Sequence, residues 1–213
     1  MSFVVGLLQR RAAKTILAAP FRRTGELARG GPAVADARGI TSCEGRVAPY
    51  EPVLAPCSGQ PCVYFELEIV REWERCVTTE DGTKVEHGSD TVQRIEGGGV
   101  FLIDDGTGAI AVDSREGMSV ELDTSFEQAV PVAHGDVVFG GFRAYVPPAD
   151  GEKRGRSVKV VEKIVPPGGA MFVLGQLANG RIGKPQGLFG TLRASRNGRA
   201  AMIGTAKRNA VVG

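Results

Sequence analysis

Residues 62–70 read CVYFELEIV, and the alternation in this stretch decides the fold class. Val63, Phe65, Leu67 and Ile69 alternate with Tyr64, Glu66 and Glu68. Successive side chains of a strand point to opposite faces, so this period of two marks a half-buried β-strand. Met118, Val120 and Leu122 alternate in the same way with Ser119, Glu121 and Asp123. VFLIDDGTGAIAV, residues 100–112, sets two apolar runs around Asp-Gly-Thr-Gly, the pattern of a hairpin whose turn needs positive φ. Further strands are expected at 40–47, 136–146, 157–165 and 171–177, with exposed loops at 78–97 and 147–156. Thirty Gly and twelve Pro in 213 residues imply many tight turns. The expected fold is mostly β: a single antiparallel barrel or sandwich-like domain, with a short N-terminal helix.

Charge divides the chain. Residues 1–35 carry Arg10, Arg11, Lys14, Arg22, Arg23 and Arg29 against Glu26 alone, a net +5. Residues 179–213 carry seven basic side chains and no acid, while residues 36–178 hold 13 basic and 23 acidic ones, a net −10. The expected organisation is a basic N-terminal segment (1–23), a Gly- and Ala-rich linker (24–38), a β domain (39–195) and a basic tail (196–213). Basic ends on an acidic body suit an anionic membrane surface, each Lys or Arg near it contributing ~1 kcal/mol. Solvation of the tails alone is the plainer alternative. On a helical wheel Arg10, Arg11 and Lys14 fall among Phe3, Val4 and Leu7, so no clean amphipathic face forms. No run supplies the ~20 mostly apolar residues of a transmembrane helix.

Chemistry-bearing residues are few. Cys57 and Cys62 are spaced for one zinc knuckle, but Cys43 and Cys76 lie far outside them and form no second pair. Buried, reduced structural thiols are expected, and with no secretory signal ahead of them a cytosolic-type reducing side. His87 and His134 each precede a glycine and are read as turn residues; nothing in the spacing joins either to a cysteine as a nucleophilic pair. Asp104 and Asp105 before Gly106-Thr107-Gly108 invite a metal or phosphate reading. A P-loop needs a Lys-Ser/Thr pair opening a helix, and a strand follows here, so a turn is favoured. Glu66, Glu68, Glu72 and Glu74 are read as a solvated strand face. That acidic face speaks against specific nucleic-acid binding, which needs a basic, aromatic-bearing surface. No cofactor, metal, catalytic residue or small-molecule substrate is identified.

Three blocks in order resemble the GIDE (BAM, "beside a membrane") domain family of MULAN-like membrane-anchored E3 ubiquitin ligases and their bacterial-type relatives. The first is the turn Ser58, Gly59, Pro61 and Cys62 opening a strand with a later Trp73. The second is Phe101 through Gly108, with Asp104, Asp105, Gly106, Thr107 and Gly108, followed by Val112-Asp113. The third is Glu162, then Pro167-Gly168, then Phe172 through Gly175. These residues are expected to be structural or binding residues. The resemblance implies a membrane-associated β domain with a protein partner, and places Arg10, Arg11, Lys14, Arg22, Arg23, Lys207 and Arg208 next to the membrane. The ligases of the family also carry a RING. The four Cys and two His here fall short of two four-ligand zinc sites. The expectation is therefore a non-enzymatic membrane-surface binding or scaffold module. The alternatives are a ligase-related protein depending on a RING in another chain, and an uncharacterised hydrolase.

Overall fold

The structure, a computed structural model, describes residues 18–30, 34–51, 53–80, 82–132, 134–186, 190–199 and 202. In chain order the described elements are α1 (Thr24–Arg29), β1 (Ile40–Pro49), β2 (Val53–Leu54), β3 (Pro61–Cys62), β4 (Tyr64–Thr79), β5 (Gly82–Gly98), β6 (Val100–Asp104) and β7 (Ala109–Asp113). There follow β8 (Met118–Ser119), β9 (Asp123–Val130), β10 (Gly135–Phe139), β11 (Phe142–Val146), β12 (Arg154–Val165), β13 (Ala170–Ala178), β14 (Arg181–Gly183) and β15 (Leu192–Ser195). The chain divides into two compact units. One comprises residues 1–52, 98–121 and 166–213, the other residues 53–97 and 122–165.

The first unit is a closed barrel of five strands in the order β1-β6-β7-β14-β13, closed by β1 against β13. Closure leaves no long edge in the ring. It is mixed rather than antiparallel as expected, because β14 runs parallel to β7 at Arg181↔Ala111 and Ile182↔Val112. The Asn179-Gly180 turn, with φ of 50° and 72°, reverses β13 into β14 and delivers β14 beside β7 in that direction. Hydrophobic period carries no information on direction. Gly45 lies where β1 changes partner: residues 40–46 pair with β13 and residues 46–49 with β6. A Cβ at Gly45 would sit 2.6 Å from the Asp104 carbonyl carbon. The near-continuous apolar run Met171–Leu174 is buried throughout because β13 pairs with β1, β14 and β15.

The second unit contains a four-stranded sheet, β5-β4-β12-β9, the hairpin β10–β11 and the small ladder β2–β3. Phe65, Leu67 and Ile69 of β4 pack in one apolar cluster with Val158 and Val160 of β12 and with Val137, Phe139, Ala144 and Val146 of the hairpin. On the opposite face Arg94 pairs with Glu66 at 3.0 Å, Thr91 donates to Glu68, Ser157 donates to Glu72 and Arg156 pairs with Glu74. The strand-face glutamates are thus engaged by neighbouring side chains.

Three strand expectations change. Residues 78–97, read as a loop, form the end of β4 and most of β5. Val92 and Ile95 pack on the apolar cluster, but the half-buried positions further along β5 are Glu86, Gly88 and Asp90, so no alternating apolar signal exists there. Residues 136–146, read as one strand, are two strands turned at Gly140-Gly141. The alternation at 118–122 yields only β8, and β9 starts at Asp123. α1 falls in the stretch read as linker. It is a single six-residue helix, ended by Gly30 at φ 72°, too short to show a period. Among the described residues no helix is long and apolar enough to cross a membrane.

Candidate functional site

Two carboxylates from the recognised blocks organise the site, one in each unit. Glu162 stands on β12, is fully buried, and reaches the turn after β2. Its carboxylate accepts hydrogen bonds from the backbone N–H groups of Cys57 at 2.6 Å and Ser58 at 3.1 Å, and from the Ser125 hydroxyl at 2.8 Å. Burial opposes ionisation of Glu162, but the bonds from Ser58, Cys57 and Ser125 together hold it below the usual carboxylate range. Buried charge is stable only when its lone pairs are satisfied in this way. Glu162 of the third block is thereby tied to the turn of the first, over a hundred residues away in sequence. Gly59, at φ 68°, lets the turn close, and Pro61 and Cys62 form β3.

Asp104 and Asp105 form the second constellation. Asp104 accepts from the N–H of Gly106 at 2.7 Å, which closes the turn. Gly106 and Gly108 take φ of 91° and 133°. Asp105 accepts from the Thr107 N–H at 3.0 Å and from the Thr107 hydroxyl, and it also accepts the Thr24 hydroxyl at 2.7 Å. The Asp105 N–H donates back to Thr24 Oγ1 at 3.0 Å. These bonds, Thr107 first and Thr24 next, hold the Asp105 carboxyl well below the usual range. The Gly25 N–H donates to Thr107 Oγ1 at 3.0 Å, and a Cβ on Gly25 would lie 2.1 Å from the Thr107 carbonyl oxygen. The Asp-Asp-Gly-Thr-Gly turn is therefore a socket for the start of α1. Both Asp105 oxygens and one Asp104 oxygen accept from the protein's own donors, and no cluster of metal-ligating side chains occurs among the described residues.

Trp73 continues the inward face of β4 beyond Arg71. Gly88 lies against its indole, where a Cβ would come within 2.3 Å, and the Lys153 ammonium sits 4.5 Å from the ring centroid, a cation–π contact. Lys153 and Arg71 both bond Asp90, Lys153 at 2.9 Å. Lys153 is the chief cause of the lowered Asp90 pKa. Arg71 is almost fully buried and also donates to the Pro147 carbonyl at 2.7 Å. Trp73 thus covers a charged network that sequence reasoning missed, along with Thr24, Gly25 and Ser125. No local spacing signals partners that far apart.

The remaining motif residues are placed as follows. Pro167 and Gly168 lead β12 into β13, and the Gly168 N–H donates to the Val47 carbonyl. A Cβ at Gly175 would come within 2.5 Å of the Gly183 carbonyl oxygen. Cys43, Cys57 and Cys62 are buried free thiols as expected, whereas Cys76 is exposed, because β4 runs past it into the exposed ribbon. Burial first, and then nearby acids, pushes Cys43 and Cys57 up to about 12 and Cys62 to about 11. At neutral pH these thiols are protonated and poor nucleophiles. His87 lies in β5 rather than in a turn; His134 precedes β10, and both are exposed. Arg10, Arg11, Lys14, Lys207 and Arg208 lie outside the described residues.

Arg22 and Arg23 lie beside the place where the described parts of both chain ends meet. Phe21 bridges to Ser42 of β1 and stacks on Phe172 with centroids 6.4 Å apart. The Arg199 guanidinium lies 5.5 Å from the Phe21 ring. Met202 packs on the cluster of Ala19, Ile40, Phe172 and Leu174.

Compared with known proteins, residues 73–211 match the family model described as GIDE, E3 ubiquitin ligase. That span contains the second and third blocks and Trp73, and the Ser58–Cys62 turn precedes it. No curated protein and no solved structure matches the chain. Since the match spans well over half of the sequence, the chain belongs to the GIDE family and carries an E3 ubiquitin ligase-related domain.

Proposed function

We propose that this protein is a non-enzymatic scaffold at a membrane surface, held to anionic lipid by its basic ends while its β surfaces engage a protein partner on a reducing, cytosolic-type side. The observation that carries this reading is the convergence of the ends. Phe21 stacks on Phe172 of the cluster that holds Ala19 and Met202, and the Arg199 guanidinium lies over the Phe21 ring, so the described parts of both basic ends meet at one patch of the barrel unit. Cations of the two ends then act on one anionic surface together, each Lys or Arg contributing ~1 kcal/mol. The free cysteines support the reducing side, and membership of a ligase-related family supports a protein partner.

Vesicle co-sedimentation of the full chain tests the lipid half. Binding is expected to vesicles containing anionic phospholipid, to be weak on neutral ones, and to be released by salt as the Debye length shrinks from ~10 Å at 0.1 M to ~3 Å at 1 M. Equal partitioning onto both vesicle types, insensitive to salt, overturns it. The family match also favours a second reading, in which the chain serves a ubiquitin ligase whose RING is on another polypeptide. Affinity capture from its native source then recovers a RING protein or a conjugating enzyme, and recovery of neither counts against that reading.

A further inference from the structure

A cavity of about 470 Å³ opens on the barrel unit between the end of β7 and the β13–β14 hairpin. Its charged lining is Arg115, Arg181 and Lys184 against Asp113 and Glu116. Asp113 is already engaged: Arg115 Nε donates to it at 2.9 Å, Arg115 Nη2 bonds its second oxygen, and Arg181 stands 4.0 Å away. The Arg115 pair is the main cause of the lowered Asp113 pKa. Asp113 therefore fixes one guanidinium at the wall while leaving Arg181 most of its donors. Lys184 makes no ion pair among the described residues. Among the described residues its ammonium donates to the Glu116 carbonyl oxygen, at 3.5 Å. The Glu116 side chain is exposed, where water screens its charge.

The rim is tied down. Gln176 donates to the Arg38 carbonyl at 3.1 Å and accepts the Gln186 N–H at 2.8 Å, which holds the segment after β14 against β13. The floor is left open by Gly183, where a Cβ would meet nothing nearer than Asp113 at 4.0 Å. Its φ lies outside the left-handed region, so backbone conformation does not require glycine there. A fixed guanidinium, a loosely held one and an unpaired ammonium around an open floor match a tetrahedral dianion. Arginine supplies paired donors to such a group and lysine a point charge.

We propose that this cavity binds a small phosphate-bearing molecule, with Lys184 and Arg181 contacting the phosphate and Gly183 leaving room for it. Titration calorimetry of the full chain with inorganic phosphate and with glycerol 3-phosphate tests it. One saturable site is expected. Equal affinity for the two ligands identifies a site for free phosphate, and preference for glycerol 3-phosphate one for a phosphate ester. Lys184→Ala is expected to weaken binding roughly tenfold, the worth of one charge-assisted hydrogen bond. Gly183→Leu fills the floor, and is expected to abolish binding of glycerol 3-phosphate while the circular dichroism spectrum stays that of the parent. Should Lys184→Ala fail to fold, Gly183→Leu and Arg181→Gln carry the test. Absence of saturable binding by either phosphate overturns the proposal. So does binding unchanged in the variants, or tighter binding of succinate than of both phosphates.

Discussion

The two units solve one problem with the same chemistry in different surroundings. In each, a carboxylate accepts backbone N–H from a segment remote in sequence and fastens it: Glu162 on β12 holds Cys57 and Ser58, and Asp105 in the turn after β6 holds Thr24. Glu162 is fully buried, whereas Asp105 lies in an exposed turn. An unpartnered polar group costs far more away from water than beside it. The buried clamp is therefore expected to behave as a determinant of the fold of its unit, and the exposed one as a latch that opens locally.

The sharpest way to break this contrast is Glu162→Gln, nearly isosteric but with an NH₂ in place of one acceptor. Facing the N–H groups of Cys57 and Ser58, the amide leaves at least one buried donor unsatisfied. A loss of about 3 kcal/mol is expected, read from the urea midpoint. Acid should mimic it. The Glu162 pKa is lowered in the folded state, so its contribution is full above the unfolded carboxylate value of ~4.3 and is lost as pH falls through the folded value. The parent should lose stability below pH ~4 more steeply than Glu162→Gln. Parallel acid profiles would show that the clamp does not titrate.

The latch is weaker, but sterically exacting. Gly25→Ala puts a Cβ 2.1 Å from the Thr107 carbonyl oxygen, a backbone atom that cannot swing aside. Overpacking of this kind costs about 1–3 kcal/mol. The expected outcome is release of α1, seen as faster amide exchange at residues 24–30 with the barrel strands still protected. Global loss of protection would instead make the latch as fundamental as the clamp.

The same contrast explains what the sequence discloses. β4 is legible because its apolar residues alternate over a one-sided core, and the β6–β7 hairpin because two apolar runs flank a Gly-rich turn. β5 is not, because its half-buried face carries Glu86, Gly88 and Asp90 and so alternates polar with polar. Glu162 and Asp105 are conspicuous as residue types in recognisable blocks. Their partners are not: Thr24 sits in a stretch as Gly- and Ala-rich as any linker, and Cys57 lies 105 residues from the carboxylate that bonds it. Turn chemistry is local and can be read from adjacent residues. A clamp is a long-range pairing that spacing does not encode. The parallel pairing of β7 with β14 stayed hidden for the same reason.

Smaller effects sharpen the comparison. Thr24→Val keeps the shape of the buried Thr24 side chain and removes both hydroxyl bonds with Asp105. A loss of about 1 kcal/mol is expected, since water can replace the missing donor on the exposed carboxylate. The smallest effect belongs to the outer face of the second unit. Glu66→Gln removes the ion pair with Arg94, whose side chain is 54% exposed and keeps a second partner in Glu96 at 3.3 Å. Exposed pairs of this sort gain little over solvation, so the midpoint should move by no more than about 0.5 kcal/mol. Glu66 and Glu162 stand in the same sheet, on β4 and β12. If Glu66→Gln costs as much as Glu162→Gln, burial is not what separates clamp from latch, and the strand-face charges act as a coupled ladder.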